Sequence, residues 1–117
     1  MTTSISCVFC RIASGEIPSQ ILYQDDQVMA FRDIHPQAPV HIIIIPREHI
    51  ESIAAIGEGS EVLLMSMIRT ANELAHKENV AKSGYRLVTN TGPNAGQEVR
   101  HLHWHLLGGK PLGPLVC

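Results

Sequence analysis

Two hydrophobic periodicities run along the 117-residue chain, and each predicts a different kind of element. Between Glu58 and Asn79, Leu64, Met67, Ile68, Ala71, Leu74 and Ala75 recur every three or four positions, which predicts an amphipathic helix of about five turns covering one face of a sheet. Near the C-terminus the stretch HLHWHLL alternates strictly instead. As an extended strand it puts His101, His103 and His105 on one face and Leu102, Trp104 and Leu106 on the other.

Shorter segments complete the outline. The stretch from Cys7 to Ala13 reads as a short helix stopped by Gly15, with Pro18 beyond it. Two apolar runs in ILYQDDQVMAFRD flank a polar turn at Asp25 and Asp26, a hairpin signal. Pro36 and Pro39 exclude regular structure from HPQAP, and the β-branched run VHIIIIP after it reads as a central strand ended by Pro46. YRLVTNT is a further strand and GPNAGQEV a loop with two glycines. Strands clustered with one long helix, without repeats, predict an α+β fold with a mostly antiparallel sheet, as a single domain over residues 1–117.

Composition narrows the functional classes. Apolar residues at 44% and charged residues at 17% are an ordinary globular balance, and a net charge of −2 gives no basic footprint for nucleic acid. VHIIIIP is far too short to cross a bilayer, so neither a nucleic acid nor a membrane is an expected partner. The first residues lack a basic segment followed by a long apolar stretch, which points to the cytoplasm. In a reducing compartment Cys7-x-x-Cys10 reads as a metal or redox pair, while Cys117 reads as a free thiol without a role.

Three alternating histidines change the picture more than composition does. A neutral imidazole can be a nucleophile, a general base or a metal ligand, and adjacent imidazoles shift one another's pKa values. Directly upstream, NTGPNAGQEV places glycines and main-chain amides at the mouth of the predicted strand, where they can form an anion-binding nest. Loop and histidines together suggest a phosphate site.

At these residues the chain resembles the histidine triad superfamily of nucleotide hydrolases and transferases, whose His-φ-His-φ-His-φ-φ signature HLHWHLL matches. IPSQILYQDDQVMAFRDIHPQAPVHIIIIP, GYRLVTNT and GQEVRHLHWHLLGGKPLGP extend the likeness to the Hint branch, the purine nucleoside phosphoramidases, over nearly the entire chain. The resemblance implies a five-stranded antiparallel sheet with one long and one or two short helices, and a homodimer with a ten-stranded sheet. By motif match, Asp33 and Ile34 would hold the ribose, and Asn90, Gly96, Gln97 and Glu98 would line the phosphate. His103 would be the nucleophile, His105 would touch the phosphate or the leaving group, and His41 would support them. The implied reaction cleaves the P–N bond of a purine nucleoside phosphoramidate, such as an adenosine phosphoramidate, through a nucleotidyl-histidine. It needs one neutral imidazole and one proton donor, which neighbouring histidines can supply.

A second constellation overlaps the first. Cys7, Cys10, His49 and His101 make a Cys2His2 set, the composition of closed structural zinc sites, and some bacterial members of the superfamily carry it. His101 then has two duties: its side chain can ligate metal while its carbonyl orients His103. His35 and His76 read as surface residues, His35 being a rim contact of the site. Three readings compete: a dinucleoside polyphosphate hydrolase of the Fhit type, a non-catalytic zinc-containing interaction module, and a metalloenzyme using His103 and His105 as ligands.

Overall fold

The structure is a computed structural model and describes residues 6–115; Cys117 and the first five residues lie outside the described part. A short helix α1 (Val8–Ala13) precedes the hairpin β1 (Ile21–Gln24) and β2 (Val28–Arg32), followed by β3 (Val40–Pro46), the long helix α2 (Glu61–Lys77), β4 (Tyr85–Val88) and β5 (Trp104–Gly108). Single 3-10 turns at Ile53–Ala55 and Pro93–Ala95 interrupt two connections. The strands form one antiparallel sheet in the order β1-β2-β3-β5-β4, so β5 inserts between β3 and β4.

Strand β3 is buried throughout, its one polar side chain being His41, because both faces of the sheet are covered. Ile42 and Ile44 point to one side, where they meet Leu102, Trp104, Leu106 and the α2 residues Met67, Ala71, Leu74 and Ala75. Ile43 and Ile45 point to the other, where they join Met29 and Phe31 and the α1 residues Phe9, Cys10, Ile12 and Ala13. Each fully buried isoleucine stabilises the fold by roughly 1.5–3 kcal/mol.

Two details depart from the sequence pattern. Helix α2 is shorter than the Glu58–Asn79 span, and Ile68, expected in its apolar stripe, is 42% exposed. Val62, Met65 and Ile68 form a second, outward row at three-residue spacing, which the sheet cannot reach. The histidine row is also only partly strand: β5 begins at Trp104, and His101 and His103 precede it. The alternation survives because the segment stays tied down, with the Leu102 N–H donating to the Ile50 carbonyl at 2.6 Å. Leu102, Trp104 and Leu106 face α2, as the alternation requires.

Candidate functional site

Strand pairing brings the first histidines together. His41 on β3 is opposite Leu107 on β5, and Ile43 is opposite His105, so His41 and His105 are diagonal neighbours on one face. Long side chains bridge such a diagonal. His41 Nε2 lies 2.8 Å from His105 Nδ1. Asp33 follows β2, its main-chain N–H donating to the His41 carbonyl at 3.1 Å, and its Oδ2 lies 3.4 Å from His41 Nε2.

Next to this pair, His103 packs at 5.1 Å between ring centroids from His105 and at 5.0 Å from Phe9. Its Nδ1 lies 2.7 Å from the His101 carbonyl. A carbonyl only accepts, so Nδ1 carries a proton, and in the neutral ring the lone pair is then on Nε2. The Thr89 hydroxyl donates to the His103 carbonyl at 3.0 Å and fixes the backbone from the β4 side.

These groups border a cavity of about 350 Å³ whose lining includes Asp33, His35, His41, Asn90, Gly96, Glu98, His103 and His105. Gly96 adopts a left-handed conformation, φ 81° and ψ 28°, that closes the 3-10 turn and swings the chain back towards the histidines; a residue with a Cβ would be strained there. Ile34 is 82% exposed and is not among the lining residues. The Gln97 side chain turns into its own loop: Oε1 accepts from the Gly92 N–H at 2.9 Å, and Nε2 donates to the carbonyls of Glu51 at 2.7 Å and Val99 at 3.0 Å. Sequence reasoning passed over Phe9, Gln37, Ile43 and Val99, which complete the wall. Only Phe9 carried a signal, an aromatic between two cysteines within one helical turn.

Burial favours the neutral forms of His41 and His105. His105 is pushed down to about 4, mainly by desolvation, with smaller contributions from His103 and His41. Desolvation also lowers His41, and the neighbouring Asp33 carboxylate offsets this in part.

On the other side of His101 a second cluster converges. Cys7 is the N-cap of α1, its Sγ accepting the Cys10 N–H, so one turn aligns both sulfurs. Cys7 Sγ lies 3.4 Å and Cys10 Sγ 3.5 Å from His101 Nδ1, and Cys10 Sγ lies 3.2 Å from His49 Nδ1. All four ligand atoms lie within 4.8 Å of one another. A tetrahedron built with Zn–S of about 2.3 Å and Zn–N of about 2.05 Å has S···N edges of roughly 3.5 Å, so the spacing fits zinc. The donor chemistry fits too. His101 donates Nε2–H to the Pro46 carbonyl at 2.8 Å, which leaves Nδ1 free to ligate, and desolvation lowers it to about 4, which keeps it neutral.

Comparison with known proteins places the chain in a family. The HIT domain matches residues 14–112. The chain belongs to the HIT domain family. It is 51% identical over 110 residues to the purine nucleoside phosphoramidase of Escherichia coli, covering 94% of this chain and 92% of that protein. It is also similar to two solved structures. A HIT family hydrolase from Clostridium thermocellum has a TM-score of 0.94 and 48% identity, over 98% of this chain and 100% of that one. A histidine triad protein from Clostridium difficile has a TM-score of 0.94 and 38% identity, with the same coverage. Among the described residues no helix of this HIT protein is long and apolar enough to cross a membrane.

Proposed function

We propose that this HIT protein is a nucleotide hydrolase that cleaves the P–N bond of purine nucleoside phosphoramidates through a covalent nucleotidyl-histidine. The observation that carries the reading is the His103 ring, held through Nδ1 by the His101 carbonyl at a cavity that Asp33, Asn90 and Gly96 also line. The name of the Escherichia coli relative supports the substrate class.

In this reading Asp33 accepts from the ribose hydroxyls beside Ile34, and Asn90, Gly96, Glu98 and the Gln97 backbone surround the phosphate. The Gln97 side chain keeps the phosphate loop in shape through its bonds to Gly92, Glu51 and Val99. The His103 Nε2 lone pair forms a bond to phosphorus, the P–N bond breaks, and the amine leaves with the electron pair and one proton taken from solvent. Water then attacks phosphorus, releasing nucleoside monophosphate, neutral His103 and one proton, which balances the cycle. Cys7, Cys10, His49 and His101 would hold one zinc ion, whose contribution when bound is structural, tying α1 to the segment that carries the nucleophile. The exposed Val62, Met65 and Ile68 row is consistent with a homodimer, and the working form is a cytoplasmic single-domain protomer paired with a second copy.

The test compares kcat/KM for an adenosine phosphoramidate and a diadenosine polyphosphate. A preference of about a hundredfold or more for the phosphoramidate is expected, a difference of about 2.7 kcal/mol in barrier. The opposite preference would favour a hydrolase of the Fhit type. Rapid quenching with labelled substrate should place the nucleotide on His103, and His103→Ala should abolish turnover while leaving nucleoside monophosphate binding.

A further inference from the structure

Behind His105, away from the nucleophile, a chain of hydrogen bonds ends on the main chain. The Gln37 N–H, in the loop between Pro36 and Pro39, donates to His41 Nδ1 at 3.0 Å. An amide can only donate, so His41 Nδ1 is an unprotonated acceptor and the ring carries its single proton on Nε2. That proton faces two acceptors, His105 Nδ1 at 2.8 Å and Asp33 Oδ2 at 3.4 Å. The nearer is His105. Asp33 also accepts the His35 N–H through Oδ1 at 2.7 Å. With Nδ1 accepting, a neutral His105 keeps its own proton on Nε2.

We propose that the Gln37 main-chain amide is a positioning donor that sets the tautomer of His105 through His41, making His105 a neutral hydrogen-bond donor to a phosphoryl oxygen and not a general acid. The assignment follows from proton accounting. A neutral imidazole that surrendered Nε2–H completely would become an imidazolate. His41 cannot refill it, because its Nε2 proton is the only one it has while the Gln37 amide occupies Nδ1. The relay can therefore polarise but not deliver, which suits an oxygen that gains negative charge in the transition state and needs no proton. His105 thus presents an N–H beside His103, whose Nδ1 is turned to the His101 carbonyl. The lowered pKa values of both His41 and His105 agree with this arrangement, with Asp33 and His103 the other titratable groups facing them.

This inference rests on the functional reading above, but its first readout does not. Nitrogen NMR of the full-length protein with labelled histidine, without substrate at neutral pH, should show His41 and His105 protonated at Nε2 and His103 at Nδ1. Gln37→Pro removes the amide proton, whereas Gln37→Ala keeps it. The proline variant should give a mixture of His105 tautomers, and the alanine variant should keep the Nε2–H form. Should Gln37→Pro fail to fold, His41→Leu and His41→Gln make the same comparison. Leucine should lower kcat by about tenfold or more with KM changed by less than about threefold, and glutamine, which can still donate to His105 Nδ1, should restore most of kcat and the tautomer. A wild-type His105 carrying its proton on Nδ1, or a His105 tautomer unaffected by His41→Leu, overturns the proposal. The predicted tautomers in a protein that hydrolyses neither substrate would instead refute the functional reading and leave the relay standing.

Discussion

Replacing His49 with glutamine tests the proposed zinc site without dismantling the core. His49 is only half-buried, whereas His101 is fully buried and Cys10 nearly so, making His49 the ligand whose loss disturbs packing least. The metal-free variant should therefore match the metal-free wild type to within about 1 kcal/mol. Zinc at a free concentration a hundred times its Kd stabilises the folded wild type by about 2.7 kcal/mol through linkage. For a domain of this size, at roughly 4 °C per kcal/mol, that raises Tm by about 11 °C. The variant, with three ligands left, should gain less than about 3 °C at the same zinc concentration. The assay is thermal unfolding after chelator treatment and stepwise zinc addition, with metal analysis giving about one zinc per chain in the wild type. Equal shifts in both proteins would mean that zinc binds elsewhere. No shift in the wild type at saturation would refute the ligand set, however well the S···N distances suit a tetrahedron.

Three further outcomes follow from the same structure. Glu98 borders the cavity but is exposed, so although a carboxylate about 4 Å from a phosphate charge at near-surface dielectric would cost about 4 kcal/mol, its side chain is free to turn into water; Glu98→Ser should change kcat/KM by less than about tenfold, and a hundredfold loss would show the carboxylate acting in catalysis. His101 and His105 are depressed to about 4, so between that value and about 6.5 the unfolded chain binds more protons. Their contribution to stability is complete above about pH 6.5 and is lost as pH falls towards 4, so metal-free protein should lose on the order of 2 kcal/mol between pH 7 and 5 in urea titrations, and a flat profile would contradict the burial argument. Trp104 Nε1 is buried without a hydrogen-bond partner among the described residues, so Trp104→Phe trades lost packing against about 1–3 kcal/mol of relieved desolvation; the net change in urea unfolding should stay within about 1 kcal/mol, and a loss above about 3 kcal/mol would mean that the indole is paired.

What the chain determined by itself was local and periodic. The spacing of Met67, Ala71, Leu74 and Ala75 set α2, and the alternation of Leu102, Trp104 and Leu106 set the side of β5 that meets it, because side-chain direction follows from backbone period alone. Cys7-x-x-Cys10 announced a shared pair of sulfurs for the same reason, one helical turn being local geometry. Long-range contacts decided the rest. Ile68 faces outward because Met67, Ala71, Leu74 and Ala75 take the α2 face that packs on the sheet, and His101 and His103 lie outside β5 because Leu102 is bonded to Ile50 and not to a neighbouring strand. The Gln97 amide is occupied by Gly92, Glu51 and Val99, and the tautomers of His41 and His105 depend on the main-chain N–H of Gln37, a group that every residue but proline carries. Residue types are written in the sequence, but the partner of each lone pair and each proton exists only once β3 and β5 lie side by side.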